Sequence, residues 1–207
     1  MIGKDNRSEL YTRIVVVASE LFRRQGIKRV TMDDVAHGLR MSKRTIYEIF
    51  REKEQLVTAC VKYQRQEFQQ QVELYQRQCS NVLESALHTL YYAMKQYAET
   101  SKQFFEDVSI YPQIKELIKQ DRENRREASF EFFKLGVRQG IFIPDLDYNI
   151  IAILNENQTR MLVENASFKS YPITEVAETI LMTFFRGIVT DKGRRILDKF
   201  YQDHHHQ

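Results

Sequence analysis

Residues that interrupt helices are scarce in this chain of 207 residues, which contains only 7 glycines and 3 prolines. A sandwich or barrel of β-strands needs a turn about every 8–12 residues, and glycine and proline supply many of those turns. Hydrophobic residues make up 43% of the chain and charged residues 29%, which suits a buried core with a solvated surface. The sequence therefore predicts an all-α protein.

Several classes of protein are disfavoured by what the sequence lacks. There is no stretch of about 18 uncharged apolar residues, so we expect no membrane span. Cys60 and Cys79 are too few for a disulfide framework or a metal cluster, and adjacent histidines at 204–206 lack a scaffold that would hold a metal ion. His37 and His88 have no catalytic grouping around them in the sequence. We expect a cytoplasmic protein with no catalytic residues, no cofactor and no metal site.

The net charge of +3 is distributed unevenly along the chain. Residues 1–65 carry 14 Lys/Arg against 8 Asp/Glu, a net charge of +6, whereas residues 66–207 carry a net charge of −3. A basic N-terminal third attracts polyanions, although a chance excess of solvated cations would give the same count. The charge alone leaves both interpretations open.

Near the N-terminus, three apolar segments are spaced like the helices of a helix-turn-helix motif. The segment Glu9–Arg24 has apolar residues at three- and four-residue steps, and Gly26 follows it as a stop. Thr31 and Ser42 each precede a short apolar segment, as N-cap residues that accept a hydrogen bond from a free amide. This pattern is typical of proteins that place a recognition helix in the major groove of DNA.

The segment after Ser42 is predicted to be that recognition helix. Its apolar residues share one face and its cationic and phenolic residues another: Ile46, Ile49 and Phe50 against Lys43, Arg44 and Tyr47. Positive charge in the first turn opposes the helix dipole at a cost of up to ~1 kcal/mol, which a bound polyanion would offset. A solvated charged turn is the alternative.

The rest of the chain also has helical periodicity. Predicted helices end near Gln78 and then occupy about 82–100, a short segment around Phe104 and Phe105, 113–139, 146–165 and 174–190. Gly187 and Gly193 would bound the frayed end of the last helix, and residues 201–207 are expected to be a disordered tail. The apolar stripes of the last two helices suit either a monomer core or a dimer interface.

Residues 8–56 resemble the DNA-binding region of TetR-family transcriptional regulators. The resemblance lies in the stretches Ile14–Phe22, Thr31–Ala36, Met41–Phe50 and Arg51–Leu56, with Gly26 between the first two. It implies a three-helix helix-turn-helix domain at about 7–67, followed by a larger helical domain at 68–200 that binds an effector and dimerises. One departure is Arg40, which stands in the turn where the family usually has glycine.

The resemblance also assigns roles to individual residues. Contacts to double-stranded DNA are expected from Thr31, Arg40, Ser42, Lys43, Arg44, Thr45, Tyr47 and Lys53. It further implies a homodimer formed through the helices at 146–165 and 174–190.

An effector pocket is expected among the helices between 82 and 162, because small-molecule sites combine aromatic walls with a few polar groups. The candidates for its wall are Tyr91, Met94, Tyr97, Phe104, Phe105, Phe133, Asn155 and Gln158. For each of them taken alone, a place in the ordinary core is the simpler interpretation.

Three functions remain open on the sequence. The first is a repressor that a small-molecule effector releases from its operator. The second is a constitutive DNA-binding protein whose C-terminal part only dimerises, and the third is a helical enzyme or small-molecule binder. The sequence identifies neither the operator nor the effector, and it does not distinguish a repressor from an activator.

Overall fold

The computed structural model describes residues 4–108, 110–164 and 171–205, with the backbone alone at 4–6, 118, 121–127, 158–164, 173 and 205. Ten α-helices and no strands lie in these ranges: α1 Lys4–Gln25, α2 Met32–Gly38, α3 Lys43–Ile49, α4 Lys53–Gln78, α5 Val82–Ala98, α6 Lys102–Val108, α7 Pro112–Arg138, α8 Tyr148–Glu164, α9 Ile173–Ile188 and α10 Asp191–His205. The predicted all-α class is confirmed.

The chain divides into two units, and the division differs from the boundary expected near residue 67. The first unit contains Met1–Gln70 together with Glu99–Gln120, and the second contains Gln71–Ala98 together with Asp121–Gln207. The helix-turn-helix segment therefore folds with α6 and the start of α7, which follow it by some distance in the chain. Helices α4 and α7 each supply residues to both units.

The first unit is organised around one face of α1. Leu10, Ile14, Ala18 and Phe22 recur every four residues on this helix, and all four are buried. Their partners come from every other helix of the unit: Val35 of α2, Ile46 of α3, Leu56 of α4, Phe104 of α6 and Ile114 of α7. The core therefore fixes α2 and α3 against a helix that does not itself belong to the helix-turn-helix pair.

The link between α1 and α2 is held closely against α6. Gly26 has a φ of +85°, and a Cβ built there would lie 2.5 Å from Cγ of Gln103, so both backbone conformation and space require glycine. The buried Asp107 carboxylate accepts a hydrogen bond from the N–H of Lys28 at 2.7 Å. The N–H of Ser101 donates to the carbonyl of Arg23 at 2.8 Å, which satisfies one free carbonyl at the end of α1.

Aromatic residues dominate the core of the second unit. Phe133 of α7 and Phe142 of the following loop are buried, with ring centroids 5.7 Å apart, and they pack with Leu87 of α5 and Phe185 of α9. The Phe142 ring lies over Gly136, where a Cβ would approach it to 2.1 Å. The loop after α7 is thus anchored by the core.

The pattern of the sequence does not predict helix α10, because Gly193 resembles a boundary of the preceding helix. Gly193 lies inside α10, and a Cβ there would come within 2.5 Å of the carbonyl oxygen of Ile141. The helix buries Leu197 and Phe200 and continues to His205, so Tyr201–His204 are helical, not a disordered tail.

None of the described helices combines the length and the apolar character that crossing a membrane requires.

Candidate nucleic-acid interface

Helix α2 begins with the predicted cap. The Thr31 hydroxyl accepts a hydrogen bond from the N–H of Asp34 at 3.2 Å, and the Asp34 carboxylate accepts from both the N–H and the hydroxyl of Thr31 at 2.7 Å. These hydrogen bonds, the one from the Thr31 hydroxyl first, lower the pKa of Asp34. The reciprocal arrangement is a capping box, and it fixes the start of the helix at Met32.

The turn between α2 and α3 places Arg40 in the left-handed region, with a φ of +55°. The N–H of Arg40 donates to the carbonyl of His37 at 3.0 Å, and the N–H of Met41 donates to that of Ala36 at 2.9 Å. These two bonds form a Schellman motif, whose left-handed position is usually glycine. A residue with a Cβ adopts this conformation at a steric cost, and the exposed Arg40 side chain projects from a fixed turn.

Helix α3 also begins as predicted. The Ser42 hydroxyl accepts a hydrogen bond from the N–H of Thr45 at 3.2 Å and lies 2.9 Å from the Thr45 hydroxyl. On the inner face Ile46 and Phe50 are buried, and Ile49 is half-buried against the same core. The outer face is exposed and carries Lys43, Arg44 and Tyr47.

Both cations of this outer face have carboxylate partners within the protein. The Lys43 ammonium lies 2.9 Å from the Asp33 carboxylate, and Nε of Arg44 lies 3.1 Å from the Glu48 carboxylate. The hydrogen bond that the Lys43 ammonium donates to the Asp33 carboxylate raises the pKa of Lys43. The two carboxylates offset part of the helix-dipole cost that the sequence analysis assigned to a bound polyanion. Because all four side chains are exposed, these pairs are weak and exchangeable.

Lys53 is held differently, at the start of α4. Its ammonium lies 3.5 Å from the carbonyl oxygen of Lys28 and 6.0 Å from the centre of the Phe22 ring. Burial lowers the pKa of Lys53, although the charges of Asp107 and Asp34 oppose this shift. Part of this side chain therefore packs on the protein, and its removal affects packing as well as charge.

In the second unit the structure contains a cavity of about 720 Å³. It is lined by the end of α4, the first half of α5, the second half of α7, and parts of α8 and α9. Of the predicted effector-binding residues, Phe133 and Asn155 line it. Small side chains on α5 and α7, among them Ser85, Ala86 and Ala128, leave the space open.

The other predicted effector residues lie elsewhere. Phe104 is buried in the core of the first unit, and Phe105 packs half-buried against that core, because α6 belongs to the first unit. The Tyr91 hydroxyl donates to the Glu178 carboxylate at 3.0 Å. Tyr91, Met94 and Tyr97 do not line the cavity, and the side chain of Gln158 lies outside the described residues.

Asp107, the most buried charged residue in the described part of the first unit, is not indicated by any pattern in the sequence. Asp107 has no exposed surface and accepts hydrogen bonds from the N–H of Lys28 and from Nε2 of Gln103. Burial raises the pKa of this carboxyl, but these hydrogen bonds and the Lys28 charge together bring it below the ordinary value. The contact joins residues 79 apart in the chain, so no local pattern could have shown it.

No group of three or more His, Cys, Asp or Glu side chains in the described ranges is arranged to hold a metal ion.

The first unit has a capped, exposed and cationic helix α3, and the second unit has a cavity. Together they define a helix-turn-helix DNA-binding protein with a separate helical domain.

Comparison with known proteins extends this assignment. Residues 14–60 match the sequence profile of the bacterial regulatory proteins of the TetR family. The match is confined to the helix-turn-helix segment, which is similar to the DNA-binding region of that family. A search of curated proteins gives no match.

Solved structures share the fold along nearly the whole chain. A TetR transcriptional regulator from Chloroflexus aurantiacus is 21% identical, with a TM-score of 0.68, over 89% of this chain and 98% of that one. A regulator from Saccharomonospora viridis, solved in complex with choline, is 19% identical with a TM-score of 0.70, over 88% and 99%. The ketosteroid transcriptional regulator KstR2 of Mycobacterium tuberculosis is 17% identical with a TM-score of 0.57, over 91% and 97%.

Proposed function

We propose that this protein is a homodimeric repressor that a small-molecule effector releases from its operator. The observation that carries the proposal is the presence, in one chain, of an exposed cationic α3 in the first unit and a cavity of about 720 Å³ in the second. A volume of that size lies in the range of roughly 300–1,000 Å³ typical of small-molecule sites. A protein that only dimerised would have no need of the cavity.

The recognition contacts are assigned to the N-terminal end of α3. Lys43 and Arg44 project from its first turn, where side chains of a recognition helix reach base edges in the major groove. Thr45 and Tyr47 would bind phosphates from the same helix. On binding, both cations exchange their exposed carboxylate partners for DNA.

Phosphate contacts on either side of α3 would fix the position of the protein along the DNA. Thr31 and Ser42 lie at the starts of α2 and α3, where free amides and the helix dipole favour an anion. Arg40 projects from the turn between these helices and Lys53 from the start of α4. Lys53→Ala should weaken binding to all DNA about equally and reduce the salt slope by about one.

The dimer interface is assigned to α8 and α9, which pack against each other within the second unit. Ile150, Ile153 and Leu154 form an apolar face of α8 that is about half exposed. On α9, Thr179 and Gly187 are exposed two turns apart, and a Cβ at Gly187 would meet no atom within 4 Å. A second copy of the chain would cover this face, and two-fold symmetry would present two copies of α3 to successive turns of the groove.

The oligomeric state tests this part of the proposal directly. We expect size-exclusion chromatography with light scattering to give a dimer for the unmodified chain and a monomer for the double variant Ile153→Glu/Leu154→Glu. Leu74→Glu is the matched control, because Leu74 is an equally exposed leucine on α4. A monomer for the unmodified chain at micromolar concentration, or a dimer for the double variant, would contradict the assignment.

Release by an effector requires that the ligand favour one conformation over another, since a ligand shifts an equilibrium only through differential affinity. Two helices that line the cavity, α4 and α7, also supply residues to the first unit. We infer that a bound ligand changes the separation of the two DNA-binding units through these helices.

The experiment that tests the function begins with selection of bound sequences from a random DNA pool. Fluorescence anisotropy then measures affinity for the selected duplex with and without each compound of a broad ligand library. The proposal predicts that one sequence is enriched and that some compounds lower the affinity for it. Enrichment without any active compound would favour the constitutive DNA-binding protein, and no enrichment would contradict the recognition role of α3.

A further inference from the structure

The wall of the cavity in the second unit is largely apolar. Phe132 of α7, Leu90 of α5, and Leu181 and Phe184 of α9 contribute large apolar side chains to it. Surfaces of this kind gain free energy when they cover an alkyl chain or a ring, because apolar area leaves water. The apolar side chains of the wall therefore favour a ligand with a large apolar group, and they do not determine which head group it carries.

Charge at the cavity distinguishes one kind of head group from another. Among the described residues of the wall, two are charged, Glu131 and Arg138, and both are exposed. Glu131 already has a partner, because its carboxylate lies 3.7 Å from the ammonium of Lys134. The Arg138 side chain makes no hydrogen bond or ion pair with any residue that the structure describes. Among the charged residues of the described wall, Arg138 is therefore the one without a partner of opposite charge.

From this combination we propose that the effector is a single-chain amphiphile with a carboxylate head, which Arg138 binds while the apolar wall covers the chain. The proposal rests on the proposed function, since it names the chemical class of the effector for the same cavity. A guanidinium matches a carboxylate through two parallel N–H···O hydrogen bonds, a geometry that an alcohol or an ammonium head does not reproduce.

Stabilisation of helix α7 is an alternative role for Arg138, besides carboxylate binding. It is the last residue of α7, where a cation complements the negative end of the helix dipole. A purely structural arginine would change the melting temperature when replaced, but it would not make ligand affinity depend on the head group. The test therefore compares head groups on one and the same chain.

Isothermal titration calorimetry on the full chain without DNA measures this dependence. The probes are dodecanoate, 1-dodecanol and dodecyltrimethylammonium, each kept below its micellar concentration. We expect dodecanoate to bind at least tenfold more tightly than the other two, since a hydrogen bond to a charged group contributes about that factor or more. Shorter carboxylates should lose about fourfold for each methylene removed.

Substitutions locate the head group. Arg138→Gln should weaken dodecanoate about tenfold or more and leave 1-dodecanol within about twofold. Arg138→Lys keeps the charge but not the two parallel hydrogen bonds, so it should weaken dodecanoate less than Arg138→Gln does. Arg195→Gln is the matched control, because Arg195 is an exposed cation on α10 that does not line the cavity. It should change neither affinity.

Variants that fill the cavity test whether the alkyl chain of the probe lies inside it. Ala86→Leu adds bulk to the wall and should abolish binding of all three probes, and Ala128→Leu provides a second variant if the first does not fold. Dodecanoate binding that survives in a folded filled variant would overturn the assignment to this cavity.

The other possible results of these titrations also test the proposal. Binding of 1-dodecanol or of the ammonium as tight as that of dodecanoate would overturn the proposal, as would an unchanged dodecanoate affinity in Arg138→Gln or no binding of any probe. Affinity for the selected duplex is measured separately on the same samples. A protein that binds its duplex but no carboxylate therefore fails this inference alone, and one that binds carboxylate but no duplex fails the proposed function.

Discussion

The Lys43 ammonium lies 2.9 Å from the Asp33 carboxylate, so that a cation of the recognition helix is paired with the preceding helix when DNA is absent. Both side chains are more than half exposed, at 58% and 60%. A pair of this kind contributes little to stability, and its carboxylate repels phosphates as DNA approaches.

Asp33→Asn should therefore tighten DNA binding. We expect affinity for any duplex to rise roughly two- to fivefold, with the thermal midpoint almost unchanged. Anisotropy titrations with the selected and a scrambled duplex measure the effect. Asp145→Asn makes the same change of charge in the second unit and should alter affinity less. Weaker binding by Asp33→Asn would mean that Asp33 positions Lys43 for its contact.

Substitutions at Arg40, whose backbone is in the left-handed region, test backbone strain and charge separately. Arg40→Gly should raise the free energy of unfolding by about 1 kcal/mol, because glycine adopts a φ of +55° without the steric cost of a side chain. Arg40→Asn should fall between glycine and the unmodified chain, and Arg40→Ala should give no gain. Urea denaturation gives this order.

DNA binding by the same three variants tests the phosphate contact of Arg40. All three remove the same charge, so each should lose a similar amount of affinity and lower the salt slope by about one. A glycine variant less stable than the unmodified chain would show that the Arg40 side chain itself stabilises the turn. An unchanged salt slope would remove Arg40 from the interface.

Asp107 connects α6 to the link before α2, and its loss should destabilise the first unit. Asp107→Asn removes a buried charged acceptor from the N–H of Lys28, at an expected cost of about 1–3 kcal/mol. Thermal and urea denaturation measure this cost. The neighbouring exposed Glu106 provides the control, and Glu106→Gln should stay within about 0.5 kcal/mol. Equal stability of the two variants would contradict the structural role of Asp107.

The stability of the second unit should depend on pH through His88. Its ring stacks on Tyr75 at 5.3 Å and meets Phe200 edge-on at 4.8 Å, with His204 at 5.6 Å. Burial lowers the pKa of His88, and the charge of His204 lowers it further, while Glu84 opposes the shift. The folded state therefore binds this proton less readily than the unfolded state does.

The sign of the pH dependence follows from that difference. The contribution of neutral His88 is complete above its ordinary pKa near 6.5 and declines as the pH falls below that value. His88→Phe should flatten the decrease of the melting temperature between about pH 6.5 and 5. His37→Gln, which changes an exposed histidine of the first unit, should leave the decrease intact. An unaltered profile in His88→Phe would assign the dependence to other groups.

Local patterns in the sequence were sufficient for the helix-turn-helix segment. Thr31 and Ser42 form N-caps because a hydroxyl three residues before a free amide satisfies it, and that geometry depends on neighbours in the chain alone. The periodicity of α1 likewise predicts which of its residues are buried. The spacing of the two short helices and the family resemblance placed the turn at Arg40, whereas its left-handed φ is seen only in the structure.

Long-range packing accounts for what the sequence did not show. Phe104 looks like a pocket residue by type, but α6 packs against α1 and places it in the first core. Gly193 looks like a helix stop, but it lies inside α10 where the carbonyl of Ile141 approaches. The pairing of Lys43 with Asp33 also depends on how two helices meet. In the first two cases the partner is distant in sequence, and in all three the residue type alone is ambiguous.

Competition between the selected duplex and a scrambled one, measured for the unmodified chain and for Arg44→Ala, tests the central claim that α3 reads DNA sequence. We expect a clear preference in the unmodified chain, and Arg44→Ala should reduce this preference by about 1–3 kcal/mol if Arg44 contacts a guanine. Affinity for the scrambled duplex should fall much less. An Arg44→Ala variant that keeps the full preference, or an unmodified chain without any preference, would contradict the claim.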